Sequence, residues 1–187
     1  MSKKWTTKQG KRGFLPGSRD HEGEKKWFIF YLRPRSEKLV YHLLRDLNYD
    51  VFFPTVRSLR VWKNRQKKRI TLPLFPNYLF VYTYEHELYH IRRQPRVVTY
   101  ISCDGKPATI SGQDIAGVKR MLGLDKTITV ETRFTKGEPV RIVSGPLAGY
   151  EGVLVQQNGK TRFGIRLEAI NHTVLVDISR SALEKRR

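Results

Sequence analysis

The sequence predicts an α+β chain in two parts: an N-terminal α/β sandwich with a mainly antiparallel sheet, and a small C-terminal β-barrel. Three observations carry this. Trp27 to Leu32 is an unbroken apolar run, Trp-Phe-Ile-Phe-Tyr-Leu, and reads as a strand buried on both faces. The segments that follow alternate strand and helix periods in the order β-α-β-β-β-α-β-α, which suits helices packed on an antiparallel sheet. Phe134 to Arg187 instead holds four or five short β-branched runs punctuated by glycine turns in about fifty residues, the signature of a small barrel.

After the first strand, Arg33-Pro34-Arg35 interrupts the apolar run. Ser36 is placed to cap a helix, and Glu37 suits the positive end of its dipole. Leu39, Val40, Leu43, Leu44 and Leu47 recur at helical spacing, so 36–47 reads as an amphipathic helix, ended by Asn48. Val51-Phe52-Phe53 is a second strand, stopped by Pro54. Residues 57–72 contain seven basic residues in sixteen and no acid. Val61 and Trp62 on one side of Asn64-Arg65-Gln66, with Ile70 and Leu72 on the other, suggest a projecting basic hairpin; a solvated charged loop is the alternative. Such a tip gains affinity from phosphate contacts and counterion release. Leu74 to Tyr82 reads as a strand entered through a proline turn. Glu85 to Arg93 reads as a short helix ended by Gln94-Pro95. Arg96 to Ile101 is a β-branched strand, and Asp104-Gly105 a turn. Ser111 with Asp114 suggests a capping box opening a helix through Ile115, Val118, Met121 and Leu122.

The chain divides accordingly into a disordered basic tail (1–25), a sandwich domain (26–123), a linker (124–133) and a barrel (134–187). The linker holds Thr127-Ile128-Thr129-Val130, for which pairing as a strand is the alternative.

Composition narrows function. The 187 residues include 36 basic and 17 acidic side chains, a net charge of +19, which favours a polyanionic partner such as nucleic acid or a ribonucleoprotein. The sequence has no run of 18 apolar residues and no signal-peptide core, so a cytoplasmic monomer without a membrane segment is expected. Cys103 is the only cysteine, and the histidines (His21, His42, His86, His90, His172) are scattered. His86 and His90 share a helical spacing without further ligands in view, so no metal or cofactor is expected. A basic nuclease would need clustered carboxylates or a nucleophile with an oriented base, and the acids do not cluster in that way.

The C-terminal segment has a recognisable pattern. Lys136 to Val143 leads into Ser144-Gly145-Pro146-Leu147-Ala148-Gly149-Tyr150-Glu151-Gly152 and then Val153-Leu154-Val155, with Asn158-Gly159 marking a tight hairpin. Gly145, Ala148, Gly149 and Gly152, framed by two strands, resemble the KOW motif of NusG-type transcription factors and some ribosomal proteins, which implies an SH3-like barrel.

A second resemblance lies upstream. Trp27-Phe28, Leu74-Phe75-Pro76-Asn77-Tyr78-Leu79-Phe80-Val81, Ile91-Arg92 and Pro95-Arg96-Val97 resemble the NusG N-terminal domain. Within that family the Leu74–Val81 run is most similar to RfaH-type, operon-directed paralogues, since general NusG proteins usually carry glycine where Asn77 stands. The Gly145–Gly152 loop looks more like general NusG.

The resemblance implies binding, not catalysis: an elongation and antitermination factor that docks on the clamp helices of the largest RNA polymerase subunit. The matching docking positions are Tyr31, Phe75, Tyr78 and Phe80; aromatic anchors suit a helix-binding surface. The alternative is that some of them are core. Strand alternation puts Tyr78 and Phe80 on one face and Leu79 on the other. Arg33 and Arg35 fall where RfaH-type proteins meet nontemplate DNA. With Arg60, Lys63, Arg65, Lys67, Lys68 and Arg69 of the hairpin, they form the DNA-binding candidates. A second polymerase contact maps around Leu88, Tyr89 and His90, although the RfaH-type His-Thr-Thr run is absent. The barrel is implied to recruit a small-subunit ribosomal protein or Rho through Pro146, Leu147, Tyr150 and Phe163; for Leu147 and Phe163 the alternative is closure of the barrel core. A general NusG-type elongation factor and a ribosome-associated RNA-binding KOW protein are the competing functional readings.

Overall fold

The computed structural model describes residues 23–61, 65, 67–124, 126–131, 137–157 and 159–185. The expected tail lies outside them except for Gly23, Glu24 and Lys25, as does Lys63 of the hairpin.

The first strand, β1 (Lys26–Leu32), is followed by α1 (Glu37–Asp46), β2 (Asp50–Phe52), a long hairpin of β3 (Thr55–Val61) and β4 (Lys67–Pro73), β5 (Tyr78–Thr83), α2 (Leu88–Arg92) and β6 (Val97–Tyr100). The two-residue strands β7 (Ser102–Cys103), β8 (Lys106–Pro107) and β9 (Thr109–Ile110) lead into α3 (Gly112–Leu122). The first sheet has the order β2-β5-β1-β6, with β9 also on β1, and its pairings are antiparallel. The expected helix over 85–93 begins as a 3-10 turn at Glu85–Glu87. The short β9 was not expected; it pairs Ile110 with Trp27, and two residues are too few to show a period of two.

Alternation along β1 sorts its apolar run between two cores. Phe28, Phe30 and Leu32 join Leu79 and Val81 of β5, Val40 and Leu44 of α1, and Leu88 and Ile91 of α2. Trp27 and Ile29 face the other way with Phe80, toward Ile115, Val118 and Met121 of α3. A strand buried on both faces is what the unbroken run predicts. Helix α3 starts as expected: the Asp114 amide donates to Ser111 Oγ at 3.0 Å. Helix α1 does not. Ser36 occupies the cap position but makes no side-chain cap bond.

The C-terminal sheet comprises β10 (Ile128–Glu131), β11 (Glu138–Ile142), β12 (Glu151–Gln157), β13 (Lys160–Leu167), β14 (His172–Asp177) and β15 (Leu183–Lys185), in the order β10-β14-β13-β12-β11-β15. Gln157 pairs with Lys160, leaving a two-residue connection at 158–159. The expected linker is corrected in part: Ile128–Glu131 pairs with His172–Asp177 as an added strand, because its β-branched residues offer half-buried side chains to a sheet edge. Gly152 is needed for space. A Cβ there would meet Gly164 O at 2.2 Å and the Phe163 ring at 2.7 Å.

The two parts share one core. The cluster containing Phe75, Phe80, Ile115 and Val118 continues through Leu147, Phe163, Ile165, Ile170 and Val174 of the barrel. A Cβ on Gly117 of α3 would lie 2.4 Å from Ile165 Cδ1 and 3.1 Å from the Tyr150 ring, so glycine lets helix and barrel approach. Arg120 Nε donates to Pro146 O at 2.7 Å across the same seam.

Candidate functional site

The sheet presents an aromatic strip on the face opposite α1. Tyr31 of β1 and Tyr78 of β5 pair directly, with ring centroids 5.5 Å apart, and both are half-buried. Burial, and next the neighbouring Tyr31 phenol, push the Tyr78 phenol above its ordinary value, so it remains a neutral hydroxyl at physiological pH. Phe75 stands edge-on to Phe80 at 5.5 Å, and Phe80 also contacts Phe52 at 5.9 Å.

The barrel covers one side of this strip. His172 of β14 lies 5.8 Å from the Phe75 ring and 6.0 Å from the Tyr78 ring, edge-on to both, and its Nδ1 is hydrogen-bonded to Ile170 O. The four expected docking residues therefore differ. Tyr31 and Tyr78 keep exposed surface, and Phe75 is 1% exposed with a barrel residue against it. Phe80 is corrected to a core residue: it is fully buried, and its aromatic neighbours Phe52 and Phe75 both come from its own domain.

Antiparallel pairing brings three turns to the end of the sheet beside Tyr31 and Tyr78. Arg33-Pro34-Arg35-Ser36, Phe75-Pro76-Asn77-Tyr78 and Gln94-Pro95-Arg96-Val97 each close with an amide-to-carbonyl bond between first and fourth residues, all 3.2 Å. Each has proline second and a positive φ third: +61° at Arg35, +69° at Asn77 and +68° at Arg96. This is the type II turn, whose third position favours glycine; an L-residue there costs roughly 1 kcal/mol. The end of β1 ties the other two turns to itself. The Leu32 amide donates to Asn77 O at 2.8 Å, and the Arg33 amide to Arg96 O at 3.0 Å. Glu37, buried at the first position of α1, accepts the Asn77 amide at 2.9 Å. The expectation that Glu37 serves the helix dipole missed this second role.

The basic hairpin springs from the same end, its base held by the Leu74 amide on Pro54 O at 2.9 Å. Its register pairs Arg57 with Thr71, Leu59 with Arg69, Arg60 with Lys68 and Val61 with Lys67. Directly opposed residues share a face, so Arg57, Lys67 and Arg69 lie on one face and Lys68 on the other, while the side chain of Arg60 lies outside the described ones. Arg65 is exposed in the turn region with φ +62°. Arg33, Arg35, Arg92, Arg93 and Arg96 are exposed too. The acids collect at the opposite end: Asp50 sits across from Tyr82, Asp46 ends α1, and Glu85 and Glu87 follow β5. Of the residues mapped to a second polymerase contact, Leu88 is buried, while Tyr89 is 66% exposed under the Arg93 guanidinium, 5.8 Å from its ring.

The expected partner surface of the barrel is rearranged. Pro146 is exposed and holds Arg120 through its carbonyl, while Tyr150 packs against Gly117. Leu147 and Phe163 are buried, at 3% and 0% exposure. Phe163 is corrected to a core residue, its ring lying beneath Gly152. Among the described residues no group of three His, Cys, Asp or Glu side chains could hold a metal, and no helix is long and apolar enough to cross a membrane. Asp114, at the start of α3, has its carboxyl raised by burial; a hydrogen bond from Ser111 opposes this, and the Glu168 charge on the barrel adds to it.

Comparison with known proteins places this architecture. NusG of Helicobacter pylori strain J99, a transcription termination/antitermination protein, is 26% identical over 147 residues, covering 77% of this chain and 84% of that protein. NusG of Escherichia coli K12 is 26% identical over 154 residues, covering 80% and 84%. NusG of Halalkalibacterium halodurans is 23% identical over 177 residues, covering 87% and 99%. A solved structure concerned with domain interaction in Thermotoga maritima NusG covers 88% of this chain and 98% of that one at 22% identity, with a TM-score of 0.47. The family model for transcription termination factor nusG matches residues 25–119. That stretch, just over half of the chain, contains the sheet, both helices of one layer and most of α3, and the chain belongs to the NusG family.

Proposed function

We propose that this chain is a transcription elongation and antitermination factor that docks on the clamp helices of RNA polymerase through Tyr31 and Tyr78, joined by Phe75 once the barrel moves away. The observation that carries the reading is an aromatic strip lying beside a basic sheet end. A helix seated on Tyr31 and Tyr78 would bring Arg33, Arg35 and the hairpin arginines and lysines toward the nontemplate DNA strand. Aromatic anchors dominate such interfaces energetically, and an unopposed basic surface supplies phosphate affinity.

His172 against Phe75 and Tyr78 supports a closed form whose docking face is partly covered. Pro146 and Tyr150, the proposed contacts for a ribosomal protein or Rho, lie on the same seam. Either partner would therefore favour the open form, and each would raise the apparent affinity of the other. The Leu74–Val81 run, with Asn77 where general family members usually have glycine, supports an operon-directed role.

The test is binding to a reconstituted paused elongation complex carrying nontemplate strands of varied sequence. Binding on selected sequences supports the operon-directed factor. Equal binding on all would assign a general NusG-type role, and binding to ribosomal RNA without polymerase affinity would overturn the proposal.

A further inference from the structure

Where the β3–β4 hairpin meets α3 and the barrel, one strand edge stays open. Strand β3 pairs with β4 on one side, and among the described residues no strand pairs with its other side. The phase of the ladder says what that edge presents. Opposed antiparallel residues alternate between pairs that exchange hydrogen bonds and pairs that do not. The Leu74 amide donates to Pro54 O, one step beyond the Thr55–Pro73 pair. Pro54 and Val56 therefore turn their carbonyls to β4, while Thr55 and Arg57 turn their amides and carbonyls outward. Pro73, opposite Thr55, suits this phase, since a proline has no amide to give the ladder. A cavity of about 870 Å³ lies along the open edge. Thr55, Val56, Arg57 and Ser58 line it in succession. Neighbouring side chains of a strand point to opposite faces, so a wall of consecutive residues is the strand's edge. Lys126, Thr127 and Ile128 also line it in succession, leading into β10, which ends the order of the barrel sheet. The floor is apolar: Val56, Leu122, Leu124 and Ile128 join the cavity to the shared core.

We propose that this groove takes an extended acidic segment of a partner protein, which adds a strand to the open edge of β3. In this mode main-chain bonds supply affinity and alternate side chains supply specificity. Thr55 and Arg57 offer the main-chain groups, and the apolar floor offers contact to every second side chain of the guest. Charge selects the guest. Among the described residues that line the cavity, Arg57 and Lys126 are the charged ones, and both are cations. The whole chain carries +19. A basic segment or a second copy of this chain is therefore repelled, and an acidic segment is attracted. None of those lining residues is aromatic, so an unpaired nucleic acid strand finds no ring to stack on. Cations alone are enough to guard an open edge against aggregation; a guarded edge needs no apolar-floored cavity beside it. The site uses none of the docking aromatics and neither arginine of the Arg33–Ser36 turn. Its walls come from both parts of the chain, so an occupied groove ties the hairpin to the barrel.

The test is residue-resolved hydrogen exchange on the full chain with a peptide of alternating glutamate and valine. About six residues suffice, since Thr55–Ser58 spans roughly 13 Å of strand. A lysine–valine peptide and an oligothymidine serve as comparisons. Binding of the acidic peptide should slow exchange at the Thr55 and Arg57 amides about tenfold or more. The Val56 and Ser58 amides, already in the β3–β4 ladder, should change little. Thr55→Pro removes an outward amide without touching that ladder, so the melting temperature should hold while peptide affinity falls about tenfold. Arg57→Glu should lose the acidic peptide and admit the lysine–valine one. Failure of the acidic peptide to protect Thr55 and Arg57, equal affinity for both peptides, or unchanged binding by a well-folded Thr55→Pro protein would each overturn the proposal. Protection of the same two amides by oligothymidine, or by raising the protein concentration alone, would also overturn it, assigning the edge to nucleic acid or to a second copy. These readouts need neither polymerase nor nontemplate DNA, so the groove and the proposed function stand or fall separately.

Discussion

The two faces of the N-terminal sheet are built from the same kinds of residue and have different fates. One face buries Phe28, Phe30, Leu79 and Val81 under α1 and α2, helices joined to the sheet by short connections. The other buries Trp27, Ile29, Phe75 and Phe80 under α3 and a barrel that belongs to a separate sheet. The first core has to form for the domain to fold. The second is completed by residues of both units, so its covering depends on their meeting. Apolar content alone does not distinguish a core covered by adjoining helices from one covered by a second unit; the difference lies in what covers it.

The comparison breaks most sharply with Phe30→Ala. Phe30 is fully buried beside Leu32 and Val40, and its truncation should destabilise the domain by about 3–5 kcal/mol, read as a lower denaturation midpoint. Tyr78→Ala, on the other face, should leave most of that stability and reduce affinity for isolated clamp helices by about 2 kcal/mol, roughly thirtyfold. A Tyr78→Ala protein that melts like wild type and binds as tightly would remove Tyr78 from the docking surface. Gly117→Leu should push Ile165 and Tyr150 away from α3 and open the seam, while the helix itself gains from loss of glycine. The expected result is a larger radius of gyration by small-angle scattering and tighter clamp-helix binding; a compact variant with unchanged affinity would show that the seam does not gate docking.

The smallest effect expected is one of pH. The Asp114 carboxyl is held above its ordinary range by burial, with Glu168 of the barrel adding to it. A raised carboxylate favours the closed form below its ordinary value and loses that contribution as pH rises through the raised one. Acidification should therefore shift the protein toward closure, and Asp114→Asn should flatten the dependence. Scattering profiles measured across the carboxylate range check this, and an opening on acidification would reverse the assignment.

Much of this was legible in the chain. The unbroken Trp27–Leu32 run specified a strand buried on both faces, because alternation sends neighbours to opposite sides. The Ser111–Asp114 pair marked the start of α3, and the density of arginine and lysine in 57–72 marked the hairpin. Other features are not legible locally, for identifiable reasons. An aromatic residue serves a core or an interface equally well by type, so the sequence leaves both open for Phe80 and Phe163, and burial assigns them to the core. Glu37 reads locally as a partner of the helix dipole, whereas its hydrogen-bond partner Asn77 lies forty residues away. Arg96 reads by its neighbours as the first residue of a strand, although Pro34-Arg35, Pro76-Asn77 and Pro95-Arg96 share a dipeptide form that signals three related turns.

By itself the sequence determined most of the longer elements, the basic balance and the glycine positions of the barrel, since these depend on local periodicity, propensity and charge. Tertiary structure alone decided which aromatics are covered, that Gly117 faces Ile165 and Tyr150, and that three distant turns meet around β1. Those outcomes depend on contacts between residues far apart in the chain, where the energy of packing, rather than local preference, selects the neighbour.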